Sequence, residues 1–388
     1  MTDAADLVLL DGEIHTLTDP DRTHEALAVR DGEIVRLGAS YDVEFLAGID
    51  TTVVDLDGRV LLPGFVDAYA DLTSLGRRLL DAERTSASGD SGDEPNARET
   101  REILAAAIAH ANARGVTGVH DASAAALAPR AFRELGAAGE LSLRVRIVYG
   151  AERLDAVAEA GLPTNAGSEH VRVGPIAFAP AEETTADVAE AIGGGYQLSV
   201  DATDAEAVDA VLDASGAGAG GKTTDGAGGK TIPGEGDPHR GARHRIERAE
   251  HVREEQIDRI AAANAVASVR PSAPDPDDGG ISYRTFLDAG IPLAFGSGGG
   301  PVDPLSDAHR AVDVGDERSG LEVSEALRAA TSGPAYAGFD EDDLGTIERG
   351  KRADLVALSE SPWDKPGSIR EIDVDLTVVD GEIVHDAR

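Results

Sequence analysis

A stretch near the middle of the chain spells a phosphate-binding signature: Gly216, four residues, then Gly221-Lys222-Thr223. The pattern works when a strand precedes it and a helix follows, because a Gly-rich turn and a helix N-terminus then aim backbone N–H groups at phosphate oxygens. Here Ala205 to Ala214 reads as helix, Thr224-Asp225-Gly226 continues the turn, and Gly229-Lys230-Thr231 nearly repeats the triplet. Composition alone produces the match, and no nucleotide cofactor is expected. The absence of cysteine removes disulfides, thiolate zinc sites and a Cys nucleophile together, so any metal would rest on His or oxygen ligands. His110, His170, His239 and His251 fall on helices or loops without ligand spacing and are expected to be solvated. Ser199 and Ser297 have no identifiable base, so no Ser-His-Asp triad is assigned. His120-Asp121 and Arg243-His244-Arg245 lie inside strand-like motifs, where structural or pocket-lining roles are expected.

The elements that must position these residues fall into two sets. Short apolar runs at Val60 to Ala68, Val116 to Asp121, Leu141 to Val148, Val171 to Phe178, Gln197 to Asp201, His244 to Ala249, Ala265 to Val269 and Pro292 to Gly296 read as eight strands. Amphipathic patterns such as Arg98 to Arg114 and Arg253 to Ala263 supply helices between them. Alternating strands and helices predict an α/β fold of TIM-type, a (β/α)8 barrel, with chemistry at the C-terminal ends of its strands. Both chain ends read as β-structure, with Asp-Gly-Glu-Ile at Asp11 to Ile14, Asp31 to Ile34 and Asp380 to Ile383 as hairpin signals. They predict a small composite β-sandwich domain formed by both termini. The expected divisions are 1–62 and 340–388 for that domain and 63–339 for the barrel, which carries a Gly-rich insertion at 215–237. Ser86 to Asn96 reads as a further loop.

Composition narrows the partners. With 72 acidic against 35 basic residues the net charge is −37, which excludes a nucleic-acid partner because phosphate binding needs clustered Lys and Arg. Only Lys222, Lys230, Lys351 and Lys365 are lysines, a surface type similar to that of proteins from salt-loving microbes. At molar salt the screening length falls to about 3 Å, so self-repulsion is damped there and the fold is expected to loosen at low salt. Met1 to Glu13 lacks a signal-peptide layout and no run approaches ~18 apolar residues, so a cytoplasmic protein without a membrane partner is expected.

Leu61-Leu62-Pro63-Gly64-Phe65-Val66-Asp67-Ala68 closes the first strand, and further motifs follow in order. They are Gly115 to Asp121, Arg243 to Glu247, Ser282 to Gly290, Phe295-Gly296-Ser297 and Gly350 to Val356. Together they resemble the amidohydrolase superfamily, in the branch containing N-substituted formamide deformylase, over almost the whole chain. The resemblance implies metal-dependent hydrolysis of non-peptide carbon–nitrogen bonds. It also implies metal ligands at six positions, which here carry Tyr69, Asp71, Ala177, Asp201, Arg248 and Gly298. Ala177 and Gly298 offer no ligand, and Arg248 brings a permanent positive charge.

The reading is therefore a pseudoenzyme with no confident catalytic residue, no bound cofactor and no metal, serving as a ligand binder or partner subunit. Asp71 and Asp201 are expected to be compensated by Arg248, and His120, Asp121, Arg248 and Arg270 form the candidate ligand pocket, with a small-molecule ligand and a homodimer or an active paralogue as partners. The alternative is an active hydrolase with a rebuilt oxygen site at Asp67, Asp71, Asp201 and Glu247 holding a divalent metal, Zn, Mn or Mg, or working by paired carboxylates without metal.

Overall fold

The computed structural model describes residues 4–83, 95–123, 125–178, 185–203, 205–218, 242–273, 281–312 and 320–388. Eight parallel strands form one sheet in chain order: Phe65–Ala70, Val116–Asp121, Arg144–Gly150, Val171–Phe178, Leu198–Asp201, Arg245–Glu247, Val266–Val269 and Leu293–Phe295. The first and last strands meet where Gly298 donates its N–H to the Tyr69 carbonyl at 2.7 Å, so the sheet curls into a nearly closed barrel. Gly296 is required at this seam, because a Cβ there would sit 2.7 Å from the Tyr69 nitrogen. With an additional β domain, this is the TIM-type architecture expected from the alternating pattern.

Strand parity divides the barrel side chains. Leu198, Val200 and Ile246 turn outward and pack with Leu104, Phe132 and Phe286 in the main apolar core. Their neighbours Ser199, Arg245 and Glu247 bond to one another and to residues of the first two strands, across the barrel interior. Helix Ala97–Asn112 begins where Asn96 accepts N–H groups of Arg98 and Glu99, while Glu99 caps Asn96 in return. Among the described residues no helix is long and apolar enough to cross a membrane.

The β domain has two sheets. Strands Ala5–Leu10, Ala26–Arg30, Glu33–Gly38 and Ala47–Asp55 form one. The other joins both chain ends: Val60–Pro63 pairs antiparallel with Leu355–Leu358, which pairs with Val374–Val379. Leu9, Leu27, Leu61, Leu355 and Leu376 fill the space between the sheets. Arg144 ties this domain to the third barrel strand through a two-bond contact with Asp354 at 2.8 and 2.9 Å and a bond to Asp380 at 3.0 Å.

Four expectations need correction. The run Val60 to Ala68 is two strands in different sheets, broken at Gly64, where a Cβ would overlap the Thr117 side chain. The Asp11-Gly12 turn is no hairpin: it carries the chain from one sheet to the other, with Asp11 at φ 55°. Asp31-Gly32 and Asp380-Gly381 do close hairpins, all four residues having positive φ. The helix beginning at Ala205 runs to Gly218, so residues 215–218 of the Gly-rich segment are helical where a loop was expected; residues 219–237, like 86–94, lie outside the described residues. His110 and His170 are half-buried, and burial lowers the pKa of each.

Candidate functional site at the barrel mouth

The C-terminal strand ends are held together by an interior polar network centred on Arg245. Its side chain is fully buried. It bonds the His120 Nδ1 at 2.6 Å, Glu247 Oε1 at 2.8 Å and the Ala68 carbonyl, reaching the first, second and sixth strands. His120, 1 % exposed, is held well below its ordinary pKa by burial and then by the charges of Arg245 and Arg146. It is therefore neutral and accepts from the guanidinium. Ser199 donates to Glu247 Oε1 at 2.9 Å, whereas Glu247 Oε2 has no partner among the described residues, in a side chain only 4 % exposed.

Asp67 lies at the seam. Its Oδ1 accepts the N–H groups of Tyr69 and Ser297, both at 3.0 Å, and burial raises its pKa. Tyr69 stands above it with its phenol pushed up to about 12 by burial, then by the nearby charges of Glu247 and Asp201. Asp71 faces elsewhere: it caps helix Leu72–Glu83 by accepting the Ser74 N–H at 2.8 Å and Ser74 Oγ at 2.6 Å, and it accepts Ser123 Oγ at 3.1 Å. Asp121 accepts the Leu72 N–H at 2.9 Å and Ser123 Oγ at 2.8 Å, and its pKa is raised to about 7 by burial, with a further contribution from the charge of Asp71.

Asp201 and Arg248 form an ion pair at the rim, with Thr203 Oγ1 3.0 Å from the Arg248 Nη2 and 2.8 Å from Asp201 Oδ1. Both side chains are about one-third exposed, at 31 % and 32 %. Arg248 takes a left-handed backbone, φ 53°, which aims a non-glycine residue at its partner against the usual steric preference. Ala177 sits one layer deeper than these two: the strand register aligns it with Ser199 and Arg245, while Asp201 aligns with Glu247 and Ser268. Gly298 has φ 59°, and a Cβ there would overlap the Arg270 Cδ, so the Arg270 stem fills the space beside it. Arg270 bonds the buried Glu250 at 3.1 Å.

The sequence-expected residues are thus partly assembled. Arg248 meets Asp201 but not Asp71, whose oxygens serve the helix cap. His120, Asp121, Arg248 and Arg270 are each engaged by a different partner, and His120 lines a cavity of about 20 Å³ with Arg146. Of the four carboxylates named as an oxygen site, Asp67 accepts the Tyr69 N–H, the charges of Asp201 and Glu247 act on the Tyr69 phenol, and Asp71 caps the helix. Among the described residues no group of three or more His, Asp or Glu side chains is arranged to hold a metal ion. Arg245, expected in a structural or pocket-lining role, is the hub of the interior network, and its i, i+2 spacing to Glu247 on one strand places both side chains inside the barrel.

A family model described as the amidohydrolase family matches residues 76–385. The imidazolonepropionase of Micrococcus luteus is 26% identical over 404 residues, covering 95% of this chain and 93% of that protein. Other similarities are partial. The imidazolonepropionase of Thermoplasma acidophilum is 32% identical over 103 residues, 26% of this chain and 25% of that protein. The N-substituted formamide deformylase of Arthrobacter pascens is 35% identical over 109 residues, 25% of this chain and 20% of that protein. The chain therefore spans a quarter or less of the length of these two relatives. Among solved structures, an uncharacterized metal-dependent hydrolase from Pyrococcus furiosus superposes with a TM-score of 0.74 at 18% identity, over 92% of this chain and 99% of that one. Atrazine chlorohydrolase TrzN from Arthrobacter aurescens, in complex with zinc, gives 0.70 at 18% identity, over 98% and 95%. At these identities the structural likeness shows the shared fold.

Proposed function

This chain belongs to the amidohydrolase family, and from that footing we propose that it is a metal-free member whose barrel mouth binds a small molecule in place of performing the family's hydrolysis. The observation that carries the reading is the filling of ligand positions by arginine. A hydrolytic metal must lower the pKa of a bound water to about 7 and polarise the scissile carbonyl, which requires open carboxylate and imidazole donors around one point. Here the Arg248 guanidinium neutralises Asp201, and the Arg270 stem lies where a side chain at position 298 would project. Asp71 is committed to a helix cap. A guanidinium stays charged at all accessible pH, so it cannot step aside by losing a proton. These donors do not fit the family's metal pair.

The acidic surface supports a high-salt setting for this activity, with molar KCl as the working medium. The reading is tested by assaying a panel of N-acyl, N-formyl and cyclic amide substrates in molar KCl, with and without added zinc, manganese or magnesium. No metal-stimulated turnover is expected. Turnover that requires metal and disappears in Asp201→Asn would overturn the proposal in favour of a rebuilt oxygen site.

A further inference from the structure

We infer that the ligand of the barrel mouth is a small organic cation with several N–H donors, a guanidinium or amidinium group, received by the unpartnered oxygen of Glu247. The inference rests on the metal-free reading above and adds the chemical class of the ligand. It starts from Glu247, 3 % exposed, whose Oε1 is satisfied by Arg245 and Ser199 while Oε2 meets no donor among the described residues. A buried carboxylate oxygen left bare is unfavourable, so such an atom calls for a partner from outside the described residues.

Its position says where that partner would sit. Glu247 alternates with Ile246, which is in the outer core, so its side chain points into the barrel. It lies close enough to Tyr69 for its charge to act on the phenol, together with that of Asp201. Tyr69 and Asp201 are partly exposed, so solvent reaches the mouth above a buried acceptor.

The charge balance selects the ligand. Glu247 is paired through Oε1 with Arg245 and Asp201 with Arg248, so an arriving anion would meet the bare Oε2 of a carboxylate. A dication fares no better, because Arg245 and Arg248 already hold the oxygens Glu247 Oε1 and Asp201 Oδ2. A monovalent N–H cation supplies a charge-assisted bond to Oε2 without displacing Arg245, and it competes with Arg248 only at the rim.

The test is a titration of the full chain, in molar KCl, with methylguanidinium chloride at millimolar concentration, followed by calorimetry and by protein NMR. Saturable binding of one cation per chain is expected, weakened tenfold or more in Glu247→Gln and unchanged in Asp209→Asn, a surface carboxylate on an outer helix. Should Glu247→Gln fail to fold, Asp201→Asn at the partly exposed rim takes its place, with at least a threefold weakening expected. Absence of saturable binding to the wild-type protein would mean that only water meets Glu247, and would overturn the inference, as would binding indifferent to both mouth variants. Stoichiometric manganese or magnesium binding that excludes methylguanidinium would overturn the metal-free reading itself, which separates the two failures.

Discussion

Replacing Arg245 by Met removes the hub of the barrel interior while keeping an unbranched stem in its place. Three groups lose a donor: His120 Nδ1, the Ala68 carbonyl and Glu247 Oε1, the last left with Ser199 alone. Glu247 is then a buried carboxylate without a cation, the situation in which breaking a buried pair costs about 3–5 kcal/mol. The assay is urea unfolding in molar KCl, comparing wild type, Arg245→Met, Glu247→Gln and the double variant. Arg245→Met should lose about 3–5 kcal/mol, and adding Glu247→Gln should recover about 2 kcal/mol by removing the stranded charge. A loss under about 1 kcal/mol, or no recovery in the double variant, would refute the view that Arg245 holds the interior together.

Asp121 and Asp307 both have folded-state pKa values raised to about 7 by burial, from an ordinary 3.8, so the stability each contributes is fully present below about pH 4 and lost as pH rises through about 7. Thermal unfolding of wild type and Asp121→Asn between pH 4 and 8 should show a shallower decline in the variant. Gly298→Asp, which returns an acidic residue to the eighth strand end, should destabilise by about 1–2 kcal/mol through its left-handed backbone and its overlap with Arg270, and Arg270→Ala should relieve part of that loss. Calorimetry with added zinc should show no gain in affinity in either protein. Lowering KCl from molar to millimolar should reduce the melting temperature, since 72 acidic residues then repel with little screening; an unchanged value would remove the salt-adapted reading.

The eight barrel strands were legible because each is a short apolar run bounded by helix or turn patterns, and the outward residues of a barrel strand are obligatorily apolar. The hairpins at Asp31-Gly32 and Asp380-Gly381 were legible because positive φ at both positions favours that dipeptide. Asp11-Gly12 was misread because the same dipeptide also serves a crossing between sheets, and the identity of the pairing strands is not local information. Gly64 shows the same limit, since its reason is a contact with Thr117, fifty-three residues away. At the mouth, the family motifs located Tyr69, Asp201, Arg248 and Gly298. They could not show that Asp71 would cap a helix or that Arg270 would fill the space beside Gly298, because both depend on side-chain directions set by tertiary packing.

The metal content of the purified chain decides the account. The protein is prepared in molar KCl with zinc, manganese and magnesium supplied, passed through a desalting step, and analysed by elemental mass spectrometry beside wild-type and Asp201→Asn samples. The account predicts far less than one metal per chain in a folded protein, with no difference between the two samples. One or two metals per chain, lost in Asp201→Asn, would contradict it and make the mouth a rebuilt hydrolytic centre.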